Sequence, residues 1–433
     1  MDGAPLKGFR DYPPPDAGAR SLIRARMRAA ARRSGFVELE TPSVEALDLF
    51  TTKSGEEIVR QLWDFTDKGG RHVALVPETT PSLARVYGAR AKSEPLPVKW
   101  FTISRLWRFE DPQAGREREF SQFNLDILGA PGIEAEVEIL ATSAAALDAA
   151  GATGLYTFRI NDRALAEGIG KARGARDAGL FFHAVDRFRK SAPQDFLAEL
   201  ARAGLGPDDA RDLQELFRSV APGVRPEDAE ALFERLTSVG LDAGAREGIE
   251  RLRGILRLAE PAGIANRIVI DPTVVRGLAY YTSSVFEAFA TSGDGRSLFG
   301  GGRYDHLIEL FGGPATPACG LAIGDQTLEN LLRGNGRWPE GEAPLDTYVI
   351  CVREELRADA VRLVRELRDE GVSADTDPLG RAFARQLREA ARRRARRAWI
   401  LGLKEVAPDV IVERDLSTGA QREFPRREVR RSG

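Results

Sequence analysis

A chain of 433 residues with 42% hydrophobic positions is too long for one ordinary core and is expected to fold as two or three domains. Its 63 Lys plus Arg balance 65 Asp plus Glu, so overall charge does not announce a nucleic-acid partner, although basic residues outnumber acidic ones from Asp346 onward. Two distant cysteines, Cys319 and Cys351, exclude a disulfide framework, and three scattered histidines, His72, His183 and His306, make a zinc site unexpected. No long apolar run and no apolar signal core near the start are found, so a cytoplasmic location is expected.

In chain order, GFRDYPPP is followed by residues 16–34, where Leu22, Ile23, Met27, Ala30 and Ala31 recur at helical spacing, with Asp16 as the candidate cap and Gly35 as the stop. FVELETPSVEALDLF alternates apolar and acidic residues up to Pro42 and predicts a strand. Further strands are predicted at RHVALVPE, VKWFTISRLWRFE, FSQFNLDILG and LYTFRIND, with a helix over 133–149. Short turns between strands favour an antiparallel sheet. Residues 163–262 switch to Ala-, Leu- and Arg-rich helical segments without a strand signal. Strand patterns return at RIVIDPTVV and LAYYTSSVFEAFA, then SLFGGGRYD is expected to be a glycine-rich turn. Past the linker GNGRWPEGEAPLD, residues 346–433 alternate β and α and predict a small, partly parallel domain.

The stretch RLWRFEDPQAGREREFSQFNLDILG carries the densest chemistry. In a hairpin, residues two apart share a face, so Arg108 aligns with Glu110, and Phe120, Gln122, Asn124 and Asp126 align with one another. An arginine fork beside an aromatic suits a phosphate and a nucleobase. Composition alone equally allows a solvated edge on which Arg and Glu pair.

This stretch resembles motif 2 of the class II aminoacyl-tRNA synthetases, and VVRGLAYYTSSVFE at 274–287 resembles the histidine motif of the histidyl-tRNA synthetase family. PETTPSLAR at 77–85, GGGRYDHL at 300–307, GFRDYPP and Pro42 follow the same family's order. The resemblance implies an α+β fold: a class II antiparallel-sheet catalytic domain (1–162 and 263–335), a helical insertion (163–262) and a C-terminal α/β anticodon-binding domain (346–433). It implies that histidine and ATP, accompanied by Mg2+, give histidyl-adenylate, which is passed to tRNA by a homodimer; its rival is the synthetase-like regulatory subunit of ATP phosphoribosyltransferase.

By the same resemblance Glu78, Thr79, Thr80 and Gln122 match positions around the α-amino group of histidine, and Asp126, Tyr280, Tyr281 and Tyr304 positions around its imidazole. Arg108 and Arg276 match the catalytic arginines on either side of the α-phosphate. Glu110, Arg116 and Phe120 join Arg108 at ATP, while Gln113 matches the loop that faces the tRNA acceptor end; Arg388 and Arg392, read from their spacing alone, offer a phosphate-contact surface for tRNA or equally a solvated helix face. Arg385, Arg388, Arg392 and Arg396 are expected to share one helix face. No protein metal cage is implied. The chain departs from the family's motif 3, in which an arginine holds the γ-phosphate: Gln326 and Thr327 occupy the expected Glu and Arg positions. Ser283 and Ala279 are smaller departures within the histidine motif.

Overall fold

The computed structural model describes residues 3–51, 59–112, 115–276, 280–291, 297–341, 345–407 and 409–426. The chain divides into two compact units, Met1–Pro339 and Glu340–Gly433.

The strands of the first unit are β1 (Val37–Glu38), β2 (Val44–Ala46), β3 (Trp63–Thr66), β4 (His72–Leu75), β5 (Val98–Trp107), β6 (Glu119–Leu128), β7 (Tyr156–Asp162), β8 (Ile268–Ile270), β9 (Ser284–Ala290), β10 (Ser297–Arg303) and β11 (Ala318–Gly324). Eight of them form one sheet in the order β1-β5-β6-β11-β10-β9-β7-β8. Its central pairings are antiparallel and only the outer β1–β5 and β7–β8 pairs are parallel. β2, β4 and β3 make a separate small sheet. The stretch from Phe36 to Phe50 is therefore not one strand: Pro42 interrupts it, and β1 and β2 join different sheets.

Strand periodicity explains the layering. Phe123, Leu125 and Ile127 of β6 are buried in the main core with Ile23 and Met27 of the helix Asp16–Arg33 and Ile139, Leu140 and Leu147 of the helix Glu134–Ala150. The alternate residues Gln122, Asn124 and Asp126 line a cleft on the opposite face. A buried ion pair staples the helix layer to the sheet: Glu136, with no exposed surface, accepts hydrogen bonds from Arg303 Nε at 2.7 Å and Nη2 at 2.5 Å, and from Ser284 Oγ. Arg303 also donates to the carbonyls of Ala130 and Gly132, which makes use of its remaining donors.

Between β7 and β8 lie the helices Arg163–Ala172, Ala178–Arg187, Pro193–Arg202, Pro207–Ser219, Ala229–Thr237 and Ala243–Ala259. Asp162, Asp177 and Asp242 cap three of them by accepting backbone N–H groups. Asp162 also receives Arg251 at 2.8 and 3.0 Å, which ties the first and last of these helices together.

The second unit has β12 (Thr347–Cys351), β13 (Ala374–Thr376), β14 (Arg397–Leu401), β15 (Val410–Asp415) and β16 (Gln421–Pro425) in the order β13-β12-β14-β15-β16. The β13-β12-β14 part is parallel, and β15 and β16 add an antiparallel edge that the sequence pattern did not signal.

Two local expectations are corrected. SLFGGGR is strand β10 rather than a turn, because adjacent strands approach its glycines closely: a Cβ at Gly301 would meet the backbone of Gly320 and Leu321. Asp16 does not cap the first helix; Pro15 occupies the cap position without a side-chain hydrogen bond, and Asp16 instead pairs with Arg333 at 2.5 Å.

Breaking a buried pair by removing one partner strands the other charge. Glu136→Ala is expected to lower the stability of the first unit by about 3–5 kcal/mol, read as a lower urea midpoint in its unfolding transition.

Candidate functional site

The cleft has a volume of about 1300 Å³ and is floored by β6, β11, β10 and β9. Register determines what stands on that floor. Asp126 of β6 faces Gly320 of β11, which faces Gly302 of β10; Asn124 faces Ala322, which faces Gly300, and Gly300 faces Glu287 of β9. Small residues on β10 and β11 leave room for large polar groups reaching over them. A Cβ on Gly302 would come within 2.8 Å of the Tyr281 ring, one on Gly300 within 2.5 Å of the Arg276 guanidinium, and one on Gly320 would collide with the Asp126 carboxylate.

At the enclosed end, Asp126 is 2% exposed. Its Oδ1 accepts the Tyr304 hydroxyl, while Oδ2 is buried without a hydrogen-bond partner among the described residues. Burial pushes this carboxyl up to about 7, against a smaller opposite pull from the Tyr304 hydrogen bond. The ring of Tyr280 lies 4.9 Å from that of Tyr281 and 6.0 Å, edge-on, from that of Tyr304, so three phenols ring the carboxyl's end of the cleft. Glu78, buried just before the helix Thr80–Arg90, is raised by burial, with Arg108 pulling the other way.

Cations line the same cleft. Arg108 donates through Nε to the Pro77 carbonyl at 2.9 Å, lies 5.6 Å over the Phe120 ring and is 3.8 Å from Glu110. Arg108 and Glu110 follow the end of β5 and belong to the turn rather than to the strand. Arg116, exposed, donates to Glu110 at 3.3 Å. Arg276 pairs with Glu287 at 2.7 Å, and its Nε is buried without a partner among the described residues. It also has φ 55°, a left-handed backbone that is costly for a residue with a Cβ.

The cleft thus gathers Glu78, Thr80, Arg108, Glu110, Arg116, Phe120, Gln122, Asp126, Arg276, Tyr280, Tyr281 and Tyr304. Thr79 is buried at the start of the helix Thr80–Arg90 and does not line the cleft. Gln113 lies outside the described residues, as does Ala279. Arg388 and Arg392 belong to the second unit, on the helix Phe383–Arg392. The predicted four-arginine stripe is shortened: the helix ends at Arg392, Arg392 pairs with Glu389 at 2.5 and 3.0 Å, and Arg396 lies past the helix on Asp346 at 3.1 Å.

At the open end Thr327 lines the cleft and donates to the Gly324 carbonyl at 3.0 Å, while Gln326 donates to Glu117 at 2.7 Å and to the Glu119 carbonyl at 3.2 Å. Sequence reasoning passed over Glu287, Arg189 and Lys190, which also line the cleft, and aligned Asn124 with the cleft face without giving it a role. Asn124 was legible from the alternation in β6; Arg189 and Lys190 come from the helical stretch, where no local pattern marks them.

An antiparallel sheet with a polar, arginine-flanked cleft, followed by a small α/β unit, is the architecture of a class II aminoacyl-tRNA synthetase. The family model described as histidyl-tRNA synthetase matches residues 8–328, and that of an anticodon binding domain matches residues 346–431. A histidine–tRNA ligase from Halobacterium salinarum is 39% identical over 423 residues, covering 97% of this chain and 95% of the relative; one from Pyrococcus furiosus is 35% identical, covering 96% and 95%. Among solved structures, a histidyl-tRNA synthetase from Nostoc superposes with a TM-score of 0.84 at 21% identity, covering 100% of this chain and 99% of that one, which speaks for the fold alone. The chain belongs to the histidyl-tRNA synthetase family.

The buried carboxyl has a thermodynamic signature. A folded-state value of about 7 against an ordinary 3.8 means that the folded protein binds the proton more tightly. Stability therefore falls as pH rises through that interval, by an amount on the order of a few kcal/mol. Asp126→Asn is expected to flatten this dependence: the melting temperature of the wild type relative to the variant should drop between pH 5 and pH 8, and a constant difference would contradict the assignment.

Proposed function

We propose that this chain activates histidine with ATP, forming histidyl-adenylate and pyrophosphate, and transfers the histidyl group to the 3′ end of its tRNA. The observation that carries the reading is one cleft shared by Arg108, Arg276, Glu78 and Asp126, in a chain that belongs to this family over most of its length.

In this reading the ammonium of histidine sits among Glu78, Thr80 and Gln122. A buried carboxylate raised by burial gains from a bound cation, which supports Glu78 in that role. Asp126 Oδ2 accepts an imidazole N–H, and Tyr281 and Tyr304 border the ring; the unpartnered oxygen supports this assignment. Phe120 stacks on adenine beside Arg108. Arg108 and Arg276 flank the α-phosphate, and the buried, unpartnered Nε of Arg276 suits an anion.

The histidine carboxylate attacks the α-phosphorus, forming a P–O bond as the bond to pyrophosphate breaks. Negative charge grows on oxygens between the two guanidinium groups. The nucleophile is already ionised, so no protein base is required, and rate comes from alignment and electrostatic stabilisation. Arg116 and Thr327 face the outer phosphates, with Arg116 supplying charge where Thr327 replaces the family's arginine. Among the described residues no three-ligand metal cluster is present, and Mg2+ would be carried mainly by phosphate and water, with Glu110 as the adjoining carboxylate.

Residues 163–262 serve as an insertion within a catalytic domain made of residues 1–162 and 263–335. Residues 346–433 engage the anticodon arm, Arg388 and Arg392 meet RNA phosphates, and Gln113 faces the acceptor end. The working form is a cytoplasmic homodimer. The regulatory-subunit alternative is not favoured, because the chain retains the anticodon-binding match and is aligned with histidine–tRNA ligases over 97% of its length.

Histidine-dependent exchange of pyrophosphate into ATP, with the other nineteen amino acids as controls, tests the reading. Exchange is expected with histidine alone. Histidine binding without exchange would instead move the chain to the regulatory role. Arg276→Ala is expected to lower exchange by roughly 10²–10³-fold. Asp126→Ala should raise KM for histidine by at least about tenfold and leave that for ATP within about twofold; equal losses would remove Asp126 from the imidazole.

A further inference from the structure

The segment that delivers Arg276 to the cleft, residues 271–276, runs on from β8, and side chains hold the carbonyls of Pro272, Val274, Val275 and Arg276. Asn161 at the end of β7 donates Nδ2 to the carbonyls of Pro272 at 3.1 Å and Val274 at 3.0 Å. Two residues on, Arg163 donates Nη1 to the carbonyls of Val275 at 3.2 Å and of Arg276 itself at 3.3 Å. At the segment's start, Asp271, fully buried, receives Arg159 at 3.2 Å and Arg189 at 2.6 Å and accepts the N–H and hydroxyl of Thr273.

Arg276 is one of two residues other than glycine with positive φ among the described residues. A left-handed backbone at a side-chain-bearing residue persists only where its surroundings over-determine it. Arg163 supplies that restraint at the residue concerned. Arg163 is itself anchored at both ends: its backbone N–H donates to the Ser283 carbonyl at 2.9 Å, and its guanidinium lies 4.6 Å over the ring of Phe182 in the helix Ala178–Arg187.

Resting on the activation chemistry proposed above, we infer that Arg163 is a positioning residue for Arg276. By holding the Val275 and Arg276 carbonyls, Arg163 keeps the left-handed turn that aims the Arg276 guanidinium across Gly300 toward Glu287 and the reacting phosphate. It touches neither substrate. Loss of Arg163 therefore acts on the charge stabilised during reaction and leaves histidine affinity in place.

The test uses the full chain with Arg163→Met, Arg163→Lys, Arg276→Ala and the double variant Arg163→Met/Arg276→Ala. In histidine-dependent pyrophosphate exchange, Arg163→Met is expected to lower kcat roughly 10- to 100-fold with KM for histidine within about twofold. Arg163→Lys, which keeps a charged donor, should recover part of the loss. In the Arg276→Ala background the same Met substitution should cost less than about twofold, because the group it positions is gone. A full loss in both backgrounds, or a change in KM alone, would overturn the proposal. A second readout does not depend on activity: trypsin cleavage after Arg276 is expected to be several-fold faster in Arg163→Met than in the wild type, with global melting held within a few degrees. If the wild-type chain does not exchange at all, the activation reading falls, and the cleavage rate still decides whether Arg163 holds the segment; an unchanged rate sinks the positioning role.

Discussion

A β-sheet face can be filled or used, and in the first unit the strands β10 and β11 are emptied so that β6, β9, Arg276 and Tyr281 can be used. Gly300, Gly302 and Gly320 stand where side chains would otherwise meet Arg276, Tyr281 and Asp126. The opposite face of the same strands carries the apolar residues that pack against two helices. A period of two therefore does double duty, with one phase closing the core and the other furnishing the cleft. The desolvation that raises the Asp126 carboxyl follows from that alternation, while Glu78 is buried where the chain turns into the helix Thr80–Arg90.

Charges in the cleft are arranged as an already balanced set. Arg108 and Arg116 share Glu110, Arg276 holds Glu287, and Lys190 holds Asp186. Balanced pairs keep arginines extended and oriented without a ligand, and they limit the cost of taking these cations out of water. Two groups that line the cleft are informative because each leaves one hydrogen-bonding capacity open among the described residues: Asp126 through Oδ2 and Arg276 through Nε. One is an acceptor and the other a donor, matching a ligand that is a donor at one point and anionic at another.

Much of this was legible in the residues. Strong alternation in FSQFNLDILG assigned Gln122, Asn124 and Asp126 to one face, and helical periodicity placed Ile23 and Met27 inward. What failed has identifiable causes. The glycine triplet lacks side chains to alternate, so its strand was invisible until its neighbours were known. β15 and β16 form a hairpin of short strands, β16 at the sheet edge and β15 between it and β14, and the charged residues in both obscure any period of two. The basic stripe of the second unit ends early because Arg393–Arg396 form the exit from the helix, a boundary that Ala- and Arg-rich sequence does not mark. Arg163 carries no motif at all; its importance lies in two carbonyls more than a hundred residues away.

Strand order also dictates when the site can exist. β6 pairs on one side with β5, its neighbour in the chain, and on the other with β11, so that Asp126 waits for Gly320 across nearly two hundred intervening residues. During synthesis the β5–β6 hairpin and the helices from Arg163 to Ala259 emerge well before the strands that finish the floor. Until then β6 presents an open edge with Gln122, Asn124 and Asp126 in water, and the nascent unit has helices but no cleft. Assembly of the binding surface is thus a late, long-range closure, and the polar residues of β6 stay hydrated until the step that buries them.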